Sequence, residues 1–428
     1  MAITILQSLG NNLPAYNSVA WVVSSTNTAQ ENFEYICDVY ITGETFAGGA
    51  SYLRLKTPAD PLYGRGVFNV FPILNRYVTG DIDNTIYGFQ QCSNSVKEYV
   101  LKFGELYGPS SGIIAYPDLA LSTSLGVNNI FNGSLGVLER KDYTNALYNA
   151  NVYTSPVSFL TNAPSSGTIN ITEEEDAWIY VLSQTSGAIK YANINTYTGT
   201  FPNKILFFTY RVINHQYHNT STVANRMLRF PAGYNMNSIP NSDIVYTNAA
   251  VLPIFFYVAT TLWEIYFTDT NKNRITESYW FAKSSECTAH TRYRLHFKNK
   301  FGGYDSFSFI RASQKSAEIT RKKFEKVMGE FKSASSYVYN KTDRFETNYH
   351  TEYKHTLKLQ SDWINEDQSV WLEELITSPD IRLDDATHGL VPINIVETNY
   401  VQRQHKTDKI FNLEINIQYT FSETRQGA

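Results

Sequence analysis

Two histidines, His215 and His218, have the sequence spacing that comes nearest to a metal site. An H-x-x-H pair can supply two zinc ligands, but tetrahedral coordination needs two more, and no cysteine or carboxylate lies close by in the sequence. The acidic run at 173–176 could bind calcium, yet it lacks the alternating ligands and the turn glycine of a dedicated loop. We therefore interpret the histidines as part of a loop and the acidic run as a solvated strand entry, and we expect no metal or other cofactor.

Carboxylates also cluster at 362–374, where two acids at a fixed separation could in principle cleave a glycoside. The cluster consists of Asp362, Glu366, Asp367, Glu373 and Glu374. Glu373 and Glu374 are adjacent and would face apart on a helix, and an amphipathic helix needs a polar face in any case. The chain has no H-E-x-x-H motif and no phosphate-binding loop signature. We expect no catalytic residue and no enzymatic activity.

A basic stretch could contact DNA phosphates. It consists of Arg321, Lys322, Lys323, Lys326 and Lys332. Three glutamates at 318, 325 and 330 alternate with these charges, which is typical of a salt-bridged surface. A role in lining a passage for DNA would instead depend on the summed field of a ring of subunits. Both interpretations stay open at this point.

The composition indicates a globular protein rich in β-structure. The 428 residues include 31 Tyr and 25 Phe but only 4 Met, and aromatic residues favour the half-buried faces of strands. This length exceeds one ordinary domain, so we expect two or three. The net charge of −4 and the pI near 6.1 argue against attraction of the whole surface to nucleic acid.

Cysteine usage predicts a protein without disulfide bonds, and hydropathy predicts no membrane-spanning segment. The three cysteines, Cys37, Cys92 and Cys287, are far apart, and an odd number cannot form a disulfide framework. This agrees with folding in a reducing cytoplasm. The first residues lack a basic segment followed by an apolar run, so we expect no signal peptide. The longest apolar run, at 249–259, is too short to span a membrane.

The first 169 residues divide into two differently patterned ranges. Alternating polar and apolar residues at 17–24 and 34–42 predict strands, and a further strand is predicted at 96–106. Apolar residues at 67–78 recur at helical spacing, with Pro72 in the first turn. Residues 1–108 are thus predicted to be a β domain with one short helix. Residues 109–169, rich in Gly, Ser and Asn, are predicted to be a long loop, either an arm or an insertion that orders only against a neighbour.

Residues 170–310 return to short, aromatic-rich strands, at 178–182, 204–212, 251–257, 262–267 and 279–282, and they predict a central β-sandwich domain. A hairpin ends this range, with strands at 293–297 and 304–309. Gly302 and Gly303 form its turn, where φ must be positive. Gly303→Val is therefore expected to impair folding.

Residues 311–428 are predicted to form a C-terminal β domain with one capped helix. Asn365 and Gln368 have the spacing of a capping box, Trp371 begins a buried stripe, and Pro379 ends the helix. Alternation at 349–359, 390–402 and 409–421 predicts strands, the last two as a hairpin. The segment 317–331 fits a helix, and its part 318–327 also fits a charged strand pair. The fold class is thus mainly β, with two or three β-sandwich-like domains, long loops and a few short helices.

Four stretches together resemble virion structural proteins of tailed phages that infect Bacteroidetes, particularly the short-tailed crAss-like phages. They are RLKTPADPLYGRGVFNVFPILNRYV (54–78), LHFKNKFGGYDSFSF (295–309), TLKLQSDWINEDQSVWLEELITSPDI (356–381) and PINIVETNYVQRQHKTDKIFNLEINIQY (392–419). The resemblance covers both ends of the chain but not 109–169 or 215–245. The matching stretches are structural, so no catalytic or ligand-binding residue is transferred.

The resemblance implies a tail or neck component of the virion, made in the host bacterial cytoplasm. Such a subunit would form a homo-oligomeric ring or hub below the portal, in contact with other tail, neck or portal proteins and near the genomic DNA in the channel. Residues 109–169 would then be an inter-subunit arm. The alternative is a tail fibre that recognises cell-surface carbohydrate with exposed aromatic residues. Most of the six tryptophans fall on predicted buried faces, and no repeats or trimerising stalk are present.

Overall fold

The structure is a computed structural model that describes most of the chain. The described residues are 3–7, 12–18, 20–46, 49–82, 88–109, 114–116, 128–136, 158–164, 168–183, 189–215, 226–246, 259–284, 290–396 and 410–426. The protein is mainly β, and 53% of the described residues lie in strands and 9% in helices, with several multi-stranded sheets. The fold class predicted from the sequence is confirmed.

The chain divides into two compact units. The first comprises Met1–Ser285 and Lys298–Asp305, and the second comprises Glu286–Phe297 and Ser306–Ala428. The turn of the hairpin around Gly302 therefore belongs to the first unit, and most of its two strands belong to the second. The four-part division at 108, 169 and 310 stays a prediction.

The first unit contains the following elements in chain order: β1 (Thr4–Gln7), β2 (Asn12–Pro14), β3 (Ala20–Ser24), β4 (Glu34–Ile41), β5 (Leu53–Pro58), β6 (Arg65–Asn69), α1 (Phe71–Leu74), β7 (Gln90–Gln91), β8 (Val96–Tyr107), β9 (Ile114–Tyr116), β10 (Asn128–Phe131), β11 (Ile169–Ile171), β12 (Trp178–Ser183), β13 (Tyr191–Thr198), β14 (Ile205–Ile213), β15 (Arg226–Pro231), β16 (Ile244–Tyr246), β17 (Leu262–Thr268) and β18 (Tyr279–Lys283). Short 3-10 helices cover Asn75–Tyr77, Tyr234–Ser238 and Asn241–Asp243. The strands predicted near 34–42, 96–106, 178–182, 204–212, 262–267 and 279–282 are confirmed, and the segment 251–257 lies outside the described residues.

Two sheets enclose the first core. One has the strand order β1-β3-β6, and the other has β2-β10-β8-β4-β5 with β9 paired to β8. Trp21 of β3 packs on Phe103 of β8 with ring centroids 6.2 Å apart, and both side chains are buried. The helix α1 adds Phe71 and Leu74 to this core, with Pro72 in its first turn as predicted. Burial alternates along β3 and β6 of the first sheet, whereas β4 and β10 of the second sheet are buried at most positions.

Two further sheets of the first unit share an aromatic core. Their orders are β12-β15-β7 and β11-β18-β17-β13-β14-β16. Phe230 of β15 packs against Phe267 of β17 with centroids 5.7 Å apart. Trp263 of β17 donates a hydrogen bond from its indole nitrogen to the Ala232 carbonyl oxygen at 2.9 Å. This indole N–H is therefore satisfied in a fully buried position.

Part of the predicted arm is integrated into the first sandwich. β10 is buried at every position and pairs with β8 and β2. β9 extends the same sheet through β8. Most of the remaining residues between 109 and 169 lie outside the described part of the chain.

The second unit contains β19 (Tyr293–Lys298), β20 (Tyr304–Phe309), β21 (Gln314–Glu325), β22 (Glu330–Ser333), β23 (Ser336–Val338), β24 (Glu346–Asn365), α2 (Glu366–Thr377), β25 (Ile381–Asp385), β26 (Gly389–Ile395), β27 (Ile410–Tyr419) and β28 (Glu423–Gln426). Its main sheet has the order β20-β19-β25-β26-β27-β24-β21, with β28 also paired to β24. β26 and β27 pair antiparallel, as predicted for the final hairpin.

The predicted capped helix is confirmed as α2. The Asn365 side chain accepts a hydrogen bond from the Gln368 backbone N–H at 2.7 Å, and the Gln368 side chain accepts one from the Asn365 N–H at 3.1 Å. Trp371 packs between Phe297 and Phe307 with centroids 5.7 and 6.0 Å away. This reciprocal cap satisfies two backbone donors where β24 passes directly into the helix.

The helical interpretation of 317–331 is wrong. The alternative is right in that 318–325 is strand, but this strand pairs with β24 and not with a second strand inside 318–327. β21 pairs antiparallel with β24 over twelve registered residues, with Glu318 opposite Lys354 and Ile319 opposite Tyr353. The apolar residues that matched a helical face, such as Phe324 and Phe331, are exposed rather than buried. The spacing of apolar residues within the segment suggested a helix because the strand that pairs with it lies about 30 residues further along the chain. The charges and rings on that strand decide the conformation.

Candidate interaction surface

Only one histidine of the H-x-x-H pair lies in the described part of the chain. His215 Nε2 lies 3.1 Å from Asp243 Oδ1 and its side chain is mostly exposed, whereas His218 lies outside the described residues. Within the part of the chain that the structure describes, no group of three His, Cys, Asp or Glu side chains is arranged to hold a metal ion.

The acidic run forms the turn between β11 and β12. Glu175 is buried and accepts a hydrogen bond from the Thr172 N–H at 2.9 Å, and Glu173 forms an ion pair with Lys283. Glu174 is exposed. The carboxylates are thus used in shaping the turn and tying it to β18.

The carboxylates at 362–374 have separate structural surroundings. Asp362 accepts hydrogen bonds from two nitrogens of the Arg311 guanidinium, with the Nε contact at 3.0 Å. Glu366 and Asp367 occupy the first turn of α2, where negative charge is favourable because of the helix dipole. Glu373 is exposed on the outer side of the helix.

The structure brings together one set of residues that sequence reasoning missed. His296 Nδ1 lies 2.7 Å from Ser306 Oγ across the β19–β20 hairpin, and His296 Nε2 lies 3.7 Å from Asp384 Oδ2 on β25. A serine, a histidine and an aspartate are the groups of a nucleophilic triad, but the imidazole is reversed here, because a triad histidine turns Nε2 to the serine and Nδ1 to the aspartate. Only the pairing of β19 with β25, nearly 90 residues apart, reveals the set.

Burial argues that this Ser–His–Asp set is structural. His296 is fully buried and Ser306 is 8% exposed, so a substrate carbonyl has no route to the serine oxygen. The sequence also contains a G-x-S-x-G match at 108–112. Its serine, Ser110, lies outside the described residues, and the next described segment is the strand β9 rather than the helix that a nucleophile elbow requires.

Through Asp384, the free energy of unfolding should depend on pH. The pKa of Asp384 is lowered by the neighbouring His296 imidazole and further by the charge of Arg294. A carboxyl whose folded pKa is depressed contributes stability above its unfolded pKa, and this stability is lost as the pH falls through the folded pKa. Asp384→Asn should therefore lower the free energy of unfolding by about 1 kcal/mol at neutral pH.

The difference should shrink as the pH falls from about 5 to about 2, because both proteins then carry a neutral side chain. Urea unfolding followed by circular dichroism across this range measures it. Asp380→Asn is the matched control, since its pair with Arg382 is about one-third exposed on both sides and should matter little. A pH-independent deficit in Asp384→Asn would contradict the assignment.

One exposed aromatic cluster is found on the first unit. Phe201 and Tyr197 pack around Trp280 with centroids 5.0 and 5.3 Å away. The Lys204 ammonium lies 3.3 Å from the centroid of the Trp280 ring. The chain's own cation therefore occupies the indole face that a sugar ring would need for stacking.

The larger exposed surface is a β-ribbon in the second unit. We define the ribbon as residues 314–355, comprising β21, the small β22–β23 hairpin and the first half of β24. All twelve residues of β21 are exposed, and β21 is the terminal strand of its sheet. The ribbon thus has no buried face along β21, and it has an open backbone edge.

Apolar side chains are concentrated on this ribbon. Among the described residues, nine of the 24 exposed large apolar side chains fall between 319 and 349: Ile319, Phe324, Val327, Met328, Phe331, Tyr337, Tyr339, Phe345 and Tyr349. Val327 and Phe331 are 81% and 75% exposed. Clustered exposure of this kind marks interaction surfaces, because isolated apolar residues are common on monomers and contiguous groups are not.

Comparisons with known proteins add little. No family model matches the chain, and no curated protein matches it. Among solved structures, the crystal structure of CBD12 from CALX1.2 has a TM-score of 0.15 and 8% identity, covering 61% of this chain and 79% of that chain. A likeness at this TM-score carries no argument about fold or function.

Proposed function

We propose that the protein is a structural subunit of a phage tail or neck that assembles with copies of itself into a ring or hub below the portal. In this proposal it is not an enzyme, it resides in the virion tail, and its partners are other tail, neck or portal proteins. The link to phages rests on the four sequence stretches that resemble virion proteins of crAss-like and related phages. The assembly role rests on the ribbon.

The ribbon is the observation that carries this proposal. A strand of twelve residues with no buried position and an open edge invites pairing with another chain, and soluble monomers usually protect such edges. β28 adds a third strand at His350–Tyr353, and the two-stranded remainder of the ribbon is marginal in water unless its faces are covered. Closed cyclic assembly would cover the ribbon of every subunit in the same way.

Native mass spectrometry of the purified full chain tests the assembly role. We expect a single species with a fixed number of subunits, and we expect the same copy number per particle in purified virions. A chain that stays monomeric at high concentration, and that is missing from virions, would refute the proposal. A trimer as the single species would instead indicate a trimeric fibre.

The alternative, a fibre that binds carbohydrate, has one supporting observation. Phe201 is 50% exposed beside Trp280, and exposed aromatic rings can stack on sugars. The Lys204 ammonium over Trp280 opposes this, and four of the six tryptophans are buried: Trp21, Trp178, Trp263 and Trp371. A glycan array decides between the two, since a ring subunit should bind no glycan.

A further inference from the structure

The ribbon and the helix α2 lie at opposite ends of one strand. β24 extends over 20 residues, from Glu346 in the ribbon to Asn365, and Asn365 is the N-cap of α2. At about 3.3 Å per residue, this strand is roughly 60 Å long. β21 is held in register along the first part of β24, so the ribbon cannot fold back onto the helix of its own chain.

These two ends carry opposite charge. The ribbon contains nine Lys and Arg against six Asp and Glu, a net charge of +3. The rest of the chain therefore contains 27 Lys and Arg against 34 Asp and Glu, a net charge of −7. The helix α2 contains four acidic residues and no basic residue. A basic end and an acidic end on one rigid strand favour contact between different copies.

Both ends also expose apolar side chains. On α2, Glu366, Val370 and Glu373 share the outward stripe at i, i+4 and i+7, and Val370 is 53% exposed. Trp363, just before the helix, is 64% exposed. The ribbon offers aromatic residues among its basic ones, such as Phe324 beside Lys322 and Lys326. The two surfaces thus match in charge and in apolar character.

We propose that the ribbon of one copy docks against the α2 face of a second copy of this chain. The contact joins two different surfaces, so it is head-to-tail, and repetition of it closes a ring when the rotation fits. This inference rests on the proposed function and identifies the contact between neighbouring subunits of the ring. Lys323 is already paired with Glu346 of its own ribbon, so Lys322 and Lys326 are the better candidates to meet the acidic helix.

A charge-swap pair of full-length variants tests the contact. The ribbon-reversed variant is Lys322→Glu with Lys326→Glu, and the helix-reversed variant is Glu366→Lys with Glu373→Lys. Each variant alone should self-associate at least about 100-fold more weakly than wild type, because like charges then face each other. An equimolar mixture should recover assembly, since every ribbon in an alternating array again meets a helix of opposite charge.

Reversals on the first unit are the matched controls: Lys56→Glu with Arg76→Glu, and Glu31→Lys with Glu174→Lys. All four positions in the controls are exposed, and both controls should assemble as wild type does. Analytical ultracentrifugation measures assembly, and circular dichroism with thermal melting shows that every variant is folded.

Each result decides between the claims. Wild-type assembly by either reversed variant alone overturns the ribbon contact and leaves the ring intact. Failure of both variants without recovery in the mixture overturns the pairing of ribbon with α2. A monomeric wild type overturns the proposed function together with the contact. If a labelled DNA duplex binds wild type but not the ribbon-reversed variant, and that variant still assembles, the ribbon is a DNA-binding surface and the proposal is wrong.

Discussion

Gly302→Val should destabilise the first unit by about 3–5 kcal/mol, since backbone strain and overpacking each typically cost 1–3 kcal/mol. Gly302 has φ +91°, a backbone conformation that residues with a Cβ rarely adopt. An added Cβ would also lie 2.5 Å from the Asn132 carbonyl oxygen. That carbonyl cannot move easily, because the Asn132 N–H donates to Ser95 and the neighbouring Ser134 N–H donates to the Lys300 carbonyl. Urea unfolding followed by tryptophan fluorescence measures the loss.

Gly43→Val is the matched control for this prediction. Gly43 has φ +83°, but an added Cβ would meet nothing within 4 Å, so only the backbone strain remains. We expect it to cost about 1–2 kcal/mol. Equal losses in the two variants would show that the contact with Asn132 is unimportant.

Trp263→Ala should cost about 3–5 kcal/mol, the range for truncating a buried aromatic residue. Trp263 is 1% exposed, and its ring stacks on Phe281 with centroids 5.6 Å apart. The substitution also removes the hydrogen bond from the indole N–H to the Ala232 carbonyl oxygen. Truncation therefore leaves both a cavity and an unpaired buried acceptor. Denaturant unfolding of the purified variant measures the effect.

Trp363→Ala is the corresponding control at an exposed position. We expect it to change the free energy of unfolding by less than about 0.5 kcal/mol. Because Trp363 lies beside the α2 face, the same variant should weaken self-association. A large loss of stability in Trp363→Ala, or none in Trp263→Ala, would contradict the burial pattern.

The local features of the fold were predictable from the sequence. Runs of residues typical of strands identified β4 and β8, and the spacing of Asn365 and Gln368 identified the capping box of α2. These features depend on residues a few positions apart, where periodicity and side-chain chemistry are informative. The turn role of Gly302 was recognised for the same reason.

The long-range features were not predictable. The sequence predicts a positive φ at Gly303, but glycine is required there for a different reason. The ring of the buried Tyr180 lies so close that an added Cβ would be 2.8 Å from it. The pairing of β21 with β24 and the contact of His296 with Asp384 join strands that are distant in sequence. A single sequence contains no signal for such register, so the ribbon and the buried Ser–His–Asp set became visible only in three dimensions.

Electron microscopy of the purified full-length protein tests the central claim most directly. The ribbon and the acidic helix at opposite ends of β24 predict closed rings, with one rotational symmetry in the two-dimensional class averages. The ring should be absent from the ribbon-reversed variant, and its mixture with the helix-reversed variant should again form oligomers, with an even number of subunits because the two variants must alternate. Isolated particles of single-chain size at high protein concentration would contradict the account.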